Sequence, residues 1–223
     1  MLKKRLIAVL ILLDGKIVQS IQFKHTNIIH WKPVTAVDFF DRWAVDEMAV
    51  IDVSRTLKMR DKFYEVVNGL SEKCFVPLSV GGWINSTEEI KKLLRLGADK
   101  VIINTQAVEN PGLISETAKI FGRQCIVVSI DAKVNGDGYE VFIDRGRKSA
   151  GLIPWEWAKH AQELGAGEIF LNSIDRDGFR KGYDIELLRK VVDAVNIPVI
   201  AMGGVFTWEH LAEGILLGGA DAV

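Results

Sequence analysis

Leu93-Leu-Arg-Leu-Gly-Ala-Asp-Lys-Val101 recurs as Ile215-Leu-Leu-Gly-Gly-Ala-Asp-Ala-Val223. Ala98-Asp99 and Ala220-Asp221 stand 122 residues apart, and the same 122 separates Gly81-Gly82 from Gly203-Gly204. Self-similarity at so long a period marks two copies of one structural unit. The unit reads as strand, Gly-Gly turn, amphipathic helix, Gly-Ala-Asp, strand. Ser86-Thr-Glu-Glu89 supplies a capping box where the helix begins. A Gly-rich turn between a parallel strand and a helix offers backbone N–H groups to phosphate. Two copies suggest an ancestor that held a substrate with a phosphate at each end.

Working outward, short apolar runs alternate with helical patterns along the whole chain. Strands are predicted at 5–12, 48–53, 77–81, 100–104, 125–131, 168–173, 198–202 and from about 221. Runs such as Cys125-Ile-Val-Val-Ser-Ile130 are apolar on both faces, as parallel strands covered by helices require. Helices are predicted at 34–44, 59–73, 86–97, 110–121, 153–164, 184–195 and 207–217, with Asn110-Pro111 placing proline in a first turn. Eight strands with seven helices make a single α/β domain of the (β/α)8 TIM-barrel class. Its half-barrels run over about 1–122 and 123–223, and a whole barrel would continue past Val223.

Composition agrees. The 223 residues, 48% of them hydrophobic, suffice for one large core. A net charge of −1 gives no electrostatic reason for nucleic acid or an anionic membrane as partner. Cys74 and Cys125 lack metal-ligand or redox spacing and read as reduced, buried thiols of a cytoplasmic protein. No metal or cofactor is implied. The apolar run that ends at Asp14 is too short for a leader or a membrane span and reads as a strand.

In such barrels chemistry sits where strands end. The residues to weigh are Ile11 to Gly15, Asp52, Gly81 to Trp83, Asn104-Thr105, Asp131, Ser173 to Gly178 and Gly203-Gly204. Long loops at 14–33, with His25, His30 and Trp31, and at 132–151 cover that end. Asp131 closes an apolar strand, where poor solvation raises a carboxyl pKa toward use as an acid. Asp52 either orients a ligand or braces a loop. The two histidines read as exposed loop residues.

Several segments carry a closer likeness: Leu2-Lys-Lys-Arg5, Gly97-Ala-Asp-Lys-Val101, Asn104-Thr105, Ala107-Val-Glu-Asn-Pro111, Ile130-Asp-Ala-Lys133, Gly165-Ala-Gly-Glu168 and Ser173-Ile-Asp-Arg-Asp-Gly178. On these the chain resembles the HisF-type cyclase subunit of imidazole glycerol phosphate synthase. The resemblance implies a HisH-type glutaminase docked on the N-terminal face and ammonia passing through the barrel to a bisphosphorylated aminoimidazole precursor. It also implies two acid–base carboxylates. Asp131 matches one, but Ile11 stands where the other belongs. Gly81, Gly82, Asn104, Thr105, Asp177, Gly178, Gly203 and Gly204 match substrate and phosphate contacts. The family's third glycine after strand three is Trp83 here. Tryptophan obstructs close approach of phosphate and disfavours a positive φ. Met202 and Phe206 replace small residues. The family's charged ammonia gate is complete, matching Arg5, Glu47, Lys100 and Glu168.

Three readings follow from the resemblance. The first is a HisF-like paralogue of surface-polysaccharide clusters, whose first strand is likewise apolar. It relays ammonia from a glutaminase to a sugar amidotransferase that makes an acetamidino sugar. The second is a divergent cyclase, with Asp131 and Asp177 sharing the acid–base work. The third is the sister sugar isomerase of histidine biosynthesis, which needs no glutaminase and so no gate.

Overall fold

A computed structural model describes residues 3–223; Leu2 of the Leu2–Arg5 segment lies outside the described residues. The chain divides into two compact units, one of Arg5–Gln19 and Thr26–Ile102, the other chiefly Ser20–His25 and Ile103–Val223.

In the first unit, β1 (Ile7–Leu13) pairs in parallel with β4 (Glu47–Asp52), from Ile7↔Glu47 to Leu12↔Asp52. β4 pairs with β5 (Leu78–Gly81), and β5 with the start of β6 (Lys100–Ile103), again in parallel. Every residue of β5 is buried, which is why these runs lack a polar alternation. Helix α1 (Val37–Arg42) follows a 3-10 turn over Pro33–Ala36. Helices α2 (Arg60–Ser71) and α3 (Thr87–Arg95) fall where the apolar period puts them. Ser86 Oγ accepts the Glu89 N–H at 3.2 Å, so the capping box forms on its hydroxyl side.

In the second unit, β10 (Glu168–Ser173) lies between β7 (Ile126–Asn135) and β11 (Val199–Met202), all parallel. The register sets Asp131, Asn172 and Met202 side by side across three strands. Helices α4 (Thr105–Glu109), α5 (Gly112–Phe121), α6 (Pro154–Leu164), α7 (Ile185–Ala194) and α8 (Trp208–Leu216) alternate with them. The last predicted strand is a single parallel bridge, Ile200↔Ala222.

Four features correct the sequence reading. The two long loops are built largely of strands: β2 (Lys16–Ile21) and β3 (His25–His30) in one, β8 (Gly138–Ile143) and β9 (Lys148–Ser149) in the other. Asp14-Gly15, at φ 50° and 73°, joins β1 to β2 as a two-residue hairpin turn. Helix α4 was not foreseen at all. Cys74 and Cys125 are half-buried rather than buried, and Cys74 Sγ donates to the Val76 carbonyl at 3.2 Å.

The repeat, finally, has a different register. Gly82 and Trp83, not Gly81 and Gly82, correspond to Gly203 and Gly204. Both pairs take positive φ, at 102° and 58° in the first turn and 98° and 92° in the second. Caps Ser86 and Thr207, and helices α3 and α8, then match at a shift of 121, while Gly97 and Gly219, both at positive φ, match at 122. The extra residue of the second copy is Gly218, just past α8. In both copies the aspartate of Ala-Asp accepts the first N–H of the preceding strand: Asp99 from Leu78 at 2.8 Å, Asp221 from Val199 at 3.2 Å.

Candidate functional site

Asp131 is the titratable centre of the second unit. Its Oδ2 accepts from Asn104 Nδ2 at 3.1 Å, and its Oδ1 from Asn172 Nδ2 at 3.4 Å. Burial pushes the carboxyl up to about 7, the nearby Asp177 adds to the rise, and the two amide donors pull against it. Asn104 follows β6 directly and also donates to the Ser129 carbonyl at 3.1 Å. Thr105 Oγ1 donates to Asn104 Oδ1 at 3.3 Å and accepts the Asp144 N–H at 3.0 Å, tying this amide to the segment after β8. Asn172, only 2% exposed, was missed from sequence; its own Oδ1 is buried without a hydrogen-bond partner among the described residues. An asparagine inside the apolar run Ile169-Phe-Leu-Asn172 was the available signal.

Asp177 has a different occupation. Its Oδ2 accepts from Ser20 Oγ at 2.7 Å and from the Phe23 N–H at 3.4 Å, and its carbonyl accepts the Gln22 N–H at 3.1 Å. Burial raises its pKa, against the pull of these donors. Gln22 and Phe23 hold φ 51° and 60°, so Asp177 fastens a strained hairpin tip. A Cβ on Gly178 would stand 2.6 Å from the Ser20 carbonyl, which reserves that position for glycine.

In the first unit, Ile11 sits beside Ile51 in register, and no carboxylate occupies that row of β1 and β4. Gly81 is the last residue of β5, and the turn proper is Gly82–Trp83. Contrary to the expectation from its bulk, Trp83 adopts a positive φ of 58°. Its indole N–H donates to the Ser54 carbonyl at 2.9 Å, and that anchor holds the ring in place. Asp52 braces a loop: it accepts the Ser54 N–H at 2.9 Å and pairs with Arg60 at 3.5 Å, while Arg60 also pairs with Glu89.

At the opposite ends of the strands, Glu47 carries two cations. Arg5 Nη1 lies 2.6 Å from its Oε1 and Lys100 Nζ 3.0 Å from its Oε2. Glu47 and Lys100 each head a strand, and Glu168 heads β10 in the second unit, where it is buried. His25 and His30 lie on β3, all six residues of which are exposed; His30 Nδ1 accepts the Lys32 N–H at 3.1 Å.

Parallel strands alternating with helices, with the polar groups gathered where strands end, define an α/β protein of the TIM-barrel class. Residues 5–223 match the model of the histidine biosynthesis protein family, and the chain belongs to that family. No described helix is long and apolar enough to cross a membrane.

Proposed function

We propose that this protein takes ammonia from a glutaminase docked at the N-terminal ends of its strands and relays it to a sugar amidotransferase, for an acetamidino sugar of a surface polysaccharide. One contrast carries the reading: β1 offers only Ile11 where a cyclase needs an acid or base, while Arg5, Glu47 and Lys100 remain linked as a charged set. Isoleucine transfers no proton, so ring closure loses one of its two proton carriers. Support for a docked partner comes from Trp43 and Phe75, 66% and 92% exposed in the segments leading into β4 and β5. Aromatic side chains so exposed are anchors that a partner's surface would cover.

The test supplies the full chain with the bisphosphorylated aminoimidazole precursor and excess ammonium salt, which bypasses the glutaminase. The relay reading expects a folded protein without turnover. Turnover that disappears in Asp131→Asn would replace it with the divergent cyclase. That second reading has one feature in its favour: burial pushes the Asp131 carboxyl up to about 7, the range suited to a general acid. Against it, Asp177 spends its carboxylate on the Ser20–Phe23 tip.

A further inference from the structure

Strand β3 is exposed along its whole length, and it hydrogen-bonds with β2 and with no other described strand. Successive side chains of a strand point to opposite faces. Ile28 and Ile29 are 49% and 63% exposed, so neither face of β3 is covered. Trp31, just past the strand, is 64% exposed. A bare edge with apolar side chains on both faces is a template on which another chain can pair.

Trp31 is also held in place. Lys16 Nζ, on β2, lies 4.5 Å from the centre of its ring. Beyond it, the Lys32 N–H donates to His30 Nδ1 at 3.1 Å, and the Lys32 carbonyl accepts from Thr35 Oγ1 at 2.7 Å. An aromatic side chain fixed before its partner arrives loses little freedom on binding, as an interface anchor requires.

Charge decides between occupants. Between Asp14 and Asp38 the chain carries Lys16, Lys24 and Lys32 but no Asp or Glu. A second copy would bring the same lysines, and like charges on paired strands repel. A surface that sets carboxylates around an apolar seat is attracted instead. Position narrows the choice. The hairpin leaves the C-terminal end of β1, whereas Arg5 precedes the N-terminal end and pairs there with Glu47. A glutaminase at the Glu47 end leaves the hairpin to the enzyme that receives the ammonia.

We propose that β3 and Trp31 dock the sugar amidotransferase, through a surface of that enzyme that rings an apolar seat with carboxylates. This docking rests on the ammonia-relay reading and gives the receiving enzyme its place.

The full chain, with its glutaminase bound, is titrated with the sugar amidotransferase of the same organism by calorimetry, and sugar amidation is followed with glutamine or with ammonium salt. Trp31→Ala should weaken binding by about tenfold or more. Lys32→Glu should weaken it too and flatten its dependence on salt. Ile29→Thr, which keeps a strand-forming residue, should weaken it without unfolding the hairpin. In each variant glutamine-driven amidation should fall while ammonium-driven amidation holds. Unchanged affinity in all three folded variants would overturn the docking and leave the relay standing. Dimerisation of the wild-type chain that is lost in Trp31→Ala would give the strand to a second copy. An amidotransferase that does not bind the wild-type complex would overturn the relay, and the docking with it.

Discussion

Asn172 donates to Asp131 from within a strand, 3.4 Å away, and the register that pairs the two residues across β10 and β7 fixes that approach. The carboxylate is therefore held by the sheet itself rather than by a mobile loop. Removing the donor withdraws support from the charged form only. Asn172→Leu should raise the Asp131 pKa further above about 7. A carboxyl carbon titration by NMR checks this, and an unchanged midpoint would show that the amide has no electrostatic hold.

Asp131 also makes stability depend on pH. Its folded pKa of about 7 lies above the ordinary aspartate value of 3.8, so between these two pH values the folded state holds more protons than the unfolded chain. Stability contributed by this group falls as pH rises through that window and is level above it. Asp131→Asn removes the penalty. It should be more stable than the wild type at pH 8, by about 2–4 kcal/mol, with the gap closing by about pH 4. Urea unfolding at the two pH values measures the difference.

Glu47 serves two cations with one carboxylate, and it is 6% exposed. Glu47→Ala leaves both Arg5 and Lys100 without it and should cost about 3–5 kcal/mol. Lys100→Ala leaves the Arg5 pair intact and should cost less. Chemical denaturation of the two variants tests the order; equal losses would mean the two pairs are not held by a common centre.

Asp177 should govern the hairpin tip. Asp177→Ala removes the acceptor of Ser20 and Phe23. Amide exchange at Gln22 and Phe23 should quicken by about tenfold or more, the equivalent of roughly 1.4 kcal/mol. Asp177→Asn keeps an acceptor oxygen and should fall between. Unaltered exchange in the alanine variant would show the tip to be held by other contacts.

Trp83→Phe keeps an aromatic ring, though a smaller one, but not the indole donor to Ser54. A stability loss of about 1 kcal/mol is expected, and thermal unfolding beside the wild type would detect it.

The strands of both units were legible because both of their faces are buried, which leaves apolar runs such as Ile126-Val-Val-Ser-Ile130 with little to alternate. The hairpins were missed although Asp14-Gly15 is a strong turn dipeptide. Length alone had made their segments look like loops. The repeat register slipped by one because the identical Gly-Gly pairs concealed which glycines bend the chain; only φ distinguishes Gly81 in its strand from Gly82 in its turn. Asp131 and Asn104 were visible as polar residues at strand ends. Asn172 was not, since a buried amide inside a strand has meaning only once its neighbour across the sheet is known.

Gly218, the one surplus residue of the second copy, records how far duplicated halves can drift apart. It lies beyond the last turn of α8, so it altered neither the phase of the helix nor the preceding turn. Yet a side chain there would run into Leu188, 2.3 Å from a Cβ, and into the Gly214 carbonyl at 2.6 Å. The second copy had room for another peptide unit but none for another side chain. Divergence in length was tolerated at this helix end only in the smallest residue available.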